Sequence, residues 1–150
     1  MEKLNLFEGS LNLIKPDHFE FRYEILPRLE IIGEIAKYCE VKPTKEDWEE
    51  HYIEHKDKPF FIPMIRAFTG RDISVIFLCG PNIIEQSRKT IGENYDPRKL
   101  ESGTIRRDFC NLNEFEKTLK EKGYCSNVMH ASNSIKSAIR EYAVWEKYFK

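Results

Sequence analysis

The run Ile73-Ser74-Val75-Ile76-Phe77-Leu78-Cys79 is the stretch that most restricts the fold. It has the length of a strand, is almost continuously apolar, and reads as a strand buried on both faces. Gly80-Pro81 breaks it and opens a helix that runs to Ile91, where Gly92 closes it. A chain built around such a strand needs other strands beside it. Leu11-Asn12-Leu13-Ile14 supplies one, stopped by Pro16, because proline cannot donate to a ladder and disfavours helix at the residue before it. Glu34 to Val41 supplies another, ended by Pro43, and Asn127-Val128-Met129 a last short one.

The intervening segments carry helical spacing. Phe21, Ile25, Leu29 and Ile32 recur every three or four residues from Phe19 onward, with Pro27 as a kink or a late start. Thr44 with Asp47 three residues later has the pattern of an N-cap with an acidic partner, opening a helix through His55. A second helical piece starts at Pro59 and carries Phe60, Phe61, Met64, Ile65 and Phe68. Residues 93–107 form a long polar loop, residues 111–125 a short added helix stopped by Gly123, and a final helix leads to Trp145. The order predicts an α/β (α+β) class: a ferredoxin-like βαββαβ antiparallel sheet with helices on one face and inserted helices.

At 150 residues the chain is expected to be one domain, residues 1–150, able to bury about 70% of the surface its unfolded form exposes. A net charge of −1 provides no basic field for nucleic acid, so no nucleic-acid partner is expected. Cys39, Cys79, Cys110 and Cys125 share no CxxC spacing, which predicts free thiols in a reducing compartment. His51 and His55 are spaced to clamp a metal on a helix but lack a recognisable third ligand, and a solvated helix face is the expectation. Residues 1–6 lack a signal peptide's basic and apolar regions, and no run approaches the ~20 apolar residues of a membrane span. A soluble, cytoplasmic protein is expected. No GxxxxGK[ST] occurs, which excludes a P-loop enzyme.

Chemistry concentrates at Asn127-Val128-Met129-His130-Ala131-Ser132-Asn133-Ser134. His130 falls between a strand and a helix N-capped by Ser132 or Ser134, near free backbone N–H groups and the positive end of a helix dipole, where anions are favoured. Neutral imidazole is a nucleophile toward phosphorus near neutral pH. Glu141, about three helical turns on, is a partner that could hold one tautomer.

His130-Ala131-Ser132-Asn133-Ser134 with Arg140-Glu141 resembles the signature of nucleoside diphosphate kinases. Three further stretches agree in order: Ile14-Lys15-Pro16-Asp17, His51-Tyr52-Ile53-Glu54 running into Lys58-Pro59-Phe60-Phe61, and Ser102-Gly103-Thr104-Ile105-Arg106-Arg107-Asp108. Together they span residues 11–149. The resemblance implies a ping-pong phosphoryl transfer from a nucleoside triphosphate to a nucleoside diphosphate through a phosphohistidine at His130. It implies that Lys15, Arg88 and Arg106 neutralise phosphates, with Lys15 also reaching the ribose. Tyr52 would position Lys15 and His130, Phe60 would stack on the base, Asn127 would contact the sugar, and Glu141 and Ser132 would hold the histidine. Stacking is worth about 1–3 kcal/mol and reads no base edges, so little base selectivity is expected. Mg²⁺ would be bound through nucleotide phosphates, with no direct protein ligand, and the subunits would form hexamers or tetramers.

The chain departs from the family pattern where Asn94 replaces a threonine in the nucleotide-binding set, Asn133 an acid and Arg107 a glycine. The first strand-to-helix connection lacks its usual glycine, the 111–125 segment is added, and a C-terminal segment common in the family is missing. Two other readings are a catalytically impaired regulatory nucleotide-binding protein on the same scaffold and an unrelated ferredoxin-like interaction module.

Overall fold

The computed structural model describes residues 8–150; the N-terminal stretch read as lacking a signal peptide lies outside them. The elements in order are β1 (Glu8–Ile14), α1 (Arg22–Glu30), β2 (Glu34–Val41), α2 (Lys45–His51), α3 (Phe61–Phe68), β3 (Ile73–Gly80), α4 (Ile83–Ile91), α5 (Ile105–Phe109), α6 (Leu112–Lys122), β4 (Met129–Ala131) and α7 (Ile135–Trp145), with 3₁₀ turns between several of them. The strands form one antiparallel sheet in the order β2-β3-β1-β4. This is the βαββαβ arrangement read from the sequence.

β3 is central, as its continuous apolar run requires. Ile73 and Val75 point with Leu11 and Leu13 into one cluster, which α2 and α3 cover with Trp48, Phe61, Met64 and Phe68, and α7 with Trp145. Ile76, Leu78 and Ile14 point into a second cluster with Ile25 and Leu29 of α1, Ile83 and Ile91 of α4, and Ile105 of α5. The two crossover helices, α1 and α4, therefore share one face with α5, and α2, α3 and α7 close the other. The alternation along β1 and β3 sorts the two cores.

Several boundaries shift for identifiable reasons. β1 begins at Glu8, pairing as far as Gly80; Gly9 permits this, because a Cβ there would lie 2.3 Å from the Phe77 ring. A 3₁₀ turn over Pro16–Phe21 delays α1 to Arg22 and leaves Pro27 in the helix interior. α2 ends at His51, earlier than the expected His55, and α3 starts at Phe61. The N-terminus of α2 is the capping box read from Thr44 and Asp47: the Asp47 amide donates to Thr44 Oγ1 at 3.1 Å and the Thr44 amide to Asp47 Oδ2 at 3.0 Å. Asp47 also accepts from Tyr148 and Lys147, fastening the C-terminal turn onto α2.

Candidate active site

β4 places His130 opposite Leu13 of β1, so the imidazole stands on the α2/α3 side of the sheet. The strand starts later than the sequence suggests because Val128 sits at φ 79°. With the Met129 amide donating to Asn127 O at 3.0 Å, Val128 is the centre of a strained three-residue turn. A β-branched residue in the left-handed region is a marked outlier. Its carbonyl accepts from the Lys15 amide at 3.0 Å, which ties the turn to the end of β1.

The ring of His130 faces Glu141 in the middle of α7, with 3.0 Å between Nε2 and Oε1. This replaces the expected contact with helix N-terminal amides; there the Ser137 amide donates to Ser134, which is the N-cap. Ser132 Oγ donates to the same carboxylate oxygen at 2.7 Å and accepts from the Leu11 amide at 2.9 Å. It reaches the histidine only through Glu141. Burial pushes the Glu141 carboxyl up, but His130, the Ser132 hydroxyl and Arg140 together hold it below the ordinary carboxylate range. Arg140 also donates to the Glu50 and His51 carbonyls at the end of α2, so α7 carries both the histidine's partner and a tether to the facing helix.

Lys15 is buried, and its ammonium donates to Asn127 Oδ1 at 2.7 Å. Burial, with help from the Arg106 charge, brings its pKa down to about 7. Asn127 Nδ2 in turn donates to Tyr95 O at 2.8 Å. Arg106 is also sequestered: Nε donates to Asn127 O, Nη1 to Gly92 O and Asn94 O, and Nη2 to Met129 O, at 2.8 to 3.2 Å. It clips the 92–94 segment to the strand that carries His130. Burial lowers its pKa to about 10, with Arg88 acting in the same direction and Tyr52 against it.

Tyr52 packs its ring 6.2 Å from that of His130, its hydroxyl buried without a hydrogen-bond partner, and burial and the Glu141 charge push that hydroxyl up. It makes no hydrogen bond to Lys15. Phe60 is half-buried at the rim, 5.6 Å from the His55 ring. Arg88 is half-buried on α4. Asn94 spends its side-chain oxygen on the Asp96 amide at 2.9 Å. Thus His130, Glu141, Ser132, Tyr52, Lys15, Asn127 and Arg106 form one connected cluster, with Phe60, Arg88 and Asn94 around it.

Two residues with structural parts at this site were read differently or passed over. His51 is not on a solvated face: it is 2% exposed, accepts from Trp145 Nε1 at 2.9 Å, and stands 4.5 Å from the His130 ring. The signal was its place beside Trp48 and Tyr52 on one helix face. Asp17 gathers Tyr124, Ser126 and Arg71 at 2.8 Å each and so anchors the segment leading to Asn127.

The family model described as nucleoside diphosphate kinase matches residues 8–149. A nucleoside diphosphate kinase of Clostridium perfringens (strain SM101 / Type A) is 38% identical over 141 residues, covering 92% of this chain and 90% of the relative. The chain belongs to the nucleoside diphosphate kinase family. Solved structures agree. The Aquifex aeolicus nucleoside diphosphate kinase superposes with a TM-score of 0.78 at 28% identity over 93% of this chain and 94% of that one. A nucleoside diphosphate kinase family protein from Babesia bovis gives 0.77 at 31% identity over 92% and 87%. As a member of this family the chain is an enzyme that moves the terminal phosphate of a nucleoside triphosphate to a nucleoside diphosphate. The family generally uses a divalent metal ion. Among the described residues, no helix is long and apolar enough to cross a membrane.

Proposed function

We propose that His130 is the phosphoryl carrier of this reaction and that Nδ1 is its nucleophilic atom. The observation that carries the reading is the 3.0 Å contact of His130 Nε2 with the buried Glu141 carboxylate. A carboxylate accepts, so the ring proton lies on Nε2 and the lone pair on Nδ1. That lone pair attacks the terminal phosphorus; the bond from phosphorus to the bridging oxygen breaks and the nucleoside diphosphate leaves with the electron pair. The ring becomes cationic, a charge that Glu141 offsets. In the return half, a terminal oxygen of a second diphosphate attacks phosphorus and the N–P bond breaks. The protein's part is positioning and charge neutralisation.

Lys15 is the group that reaches the phosphates and ribose, and Asn127, already bonded to it, contacts the sugar. Arg106, held by four carbonyls, acts as a fixed positive charge beside the transferred group, and Arg88 adds to it from α4. Phe60 at the rim stacks on the base, Asn94 contributes its free amide nitrogen, and Tyr52 packs the histidine from the side. Mg²⁺ is the divalent ion. Glu141 is engaged by His130 and Ser132, and Asp17 by Arg71, Tyr124 and Ser126, which fits an ion held by phosphate oxygens and water. When bound it neutralises charge on those oxygens.

The exposed backbone edge of β2, one of the two outer strands, with Tyr23 and Ile31 exposed on and beside α1, supports assembly into hexamers or tetramers. Sedimentation velocity would decide between them. The four free thiols suit a cytoplasmic setting.

The test is incubation with Mg²⁺ and ATP labelled in its terminal phosphate. Acid-labile, alkali-stable label is expected on the wild type, chasing onto added GDP, and none on His130→Gln. ATP binding without label would overturn the carrier role and favour a regulatory nucleotide-binding protein.

A further inference from the structure

His51, His130 and Glu141 are the only three residues among those described whose His, Cys, Asp or Glu ligand atoms cluster as a metal site would, all within 4.8 Å of one another. The hydrogen bonds argue against a metal. Trp145 is fully buried, and its indole nitrogen, which can only donate, points at His51 Nδ1 from 2.9 Å. Nδ1 must therefore hold the lone pair, and the proton of neutral His51 is on Nε2, a buried atom with no hydrogen-bond partner. A metal on Nε2 would drive that proton to Nδ1, against the indole N–H.

Protonation is disfavoured as well. Burial, then the charges of His130, Arg140, Lys15 and His55, hold the His51 pKa well below the ordinary histidine value. Lys15, Tyr52, His55, His130, Arg140 and Glu141 are the titratable or charged groups around it. The one anion among them, Glu141, is taken by His130 and Ser132.

We propose that Trp145 and His51 form a positioning pair for His130, in which the indole fixes the His51 proton on Nε2, so that a neutral ring with no lone pair toward the cluster packs the nucleophile against Glu141 and keeps metal ions off it. The pair packs the His130 ring at 79° to His51, while Glu141 fixes the ring's rotation through Nε2. The proposal rests on the carrier role of His130, and its test separates the two.

Nitrogen NMR of the wild-type imidazoles, from about pH 5 to 8, reads the lock without any variant or nucleotide. His51 is expected to stay neutral with its proton on Nε2 throughout; a proton on Nδ1, or titration near the ordinary histidine value, overturns the proposal. Trp145→Phe deletes the donor and keeps an aromatic ring. It should mix the His51 tautomers, let Zn²⁺ bind by calorimetry, and slow His130 labelling about 10-fold with the KM for ATP unchanged; His51→Phe should slow labelling about 100-fold. Unchanged labelling rates in both variants, with folding confirmed by thermal melts, would overturn the positioning role. A wild type that takes no label overturns the carrier reading instead, and the lock then stands or falls on the tautomer and Zn²⁺ results.

Discussion

The corner around His130 and the loop over residues 92–107 meet on the same strand and are held in opposite ways. At the histidine, side chain bonds to side chain: His130 to Glu141, Glu141 to Ser132, Lys15 to Asn127, His51 to Trp145. In the loop, two arginines bond to backbone carbonyls, Arg106 to Gly92, Asn94, Asn127 and Met129, and Arg107 to Leu100 with longer contacts to Pro97 and Arg98, while Arg98 pairs with the Asp96 and Glu116 carboxylates. A carbonyl is present whatever the residue. The loop can therefore accept Asn94 and Arg107 without losing its shape, whereas each partner at the histidine is specified by its side chain.

The sharpest way to break this contrast is Glu141→Ala, which strips the orienting group from His130 and the partner from Ser132. Labelling of His130 is expected to slow by about 100-fold, read by rapid quench; a change under about 2-fold would mean the ring is held by packing alone. Arg106→Ala comes next. It leaves four carbonyls without their donor and should cost about 3 kcal/mol in urea unfolding, and Arg106→Lys should recover little, since an ammonium lacks the planar fork. If Lys restores stability, charge and not the carbonyl clip holds the loop.

Lys15 gives a pH test. Its pKa in the free protein is about 7, so the ammonium needed to meet a phosphate is present below that value and absent above it. Nucleotide binding must then take up a proton, and affinity for ADP should fall by up to about tenfold per unit as pH rises above 7 and level off below it. Titration calorimetry at several pH values measures this, and Lys15→Gln should remove the slope. The smallest effect is expected from Arg107→Ala: under about 1 kcal/mol of stability and no change in labelling rate. A larger loss would show that the residue standing where the family commonly has glycine has become part of the site.

How much of this was legible in the sequence follows the same division. The strands, the Thr44 capping box and the Lys15, His130 and Glu141 set are written in local patterns and in side-chain identity. Asp17 could be noticed within a motif, but its partners Tyr124 and Ser126 lie 107 and 109 residues away. Arg106 could be named as a phosphate ligand, yet its actual acceptors are carbonyls, which leave no mark on sequence. His51 was misread because a histidine scores as polar, although its neighbours on the helix, Trp48 and Tyr52, are core residues. The turn at Val128 had no signal at all, since nothing about valine announces a positive φ.

That turn has a consequence for motion. Its strain persists only because the surroundings over-determine it: the Lys15 amide grips the Val128 carbonyl, the Met129 amide closes the turn, and Arg106 holds the carbonyls on either side. Releasing any of these lets Val128 relax toward an extended conformation and carries His130 with it. The amides of Lys15 and Met129 should therefore exchange with solvent only through the rare, large openings of the sheet, and bound nucleotide should slow them little further. With His130 as the proposed carrier, the nucleophile is already held in place when the substrate arrives.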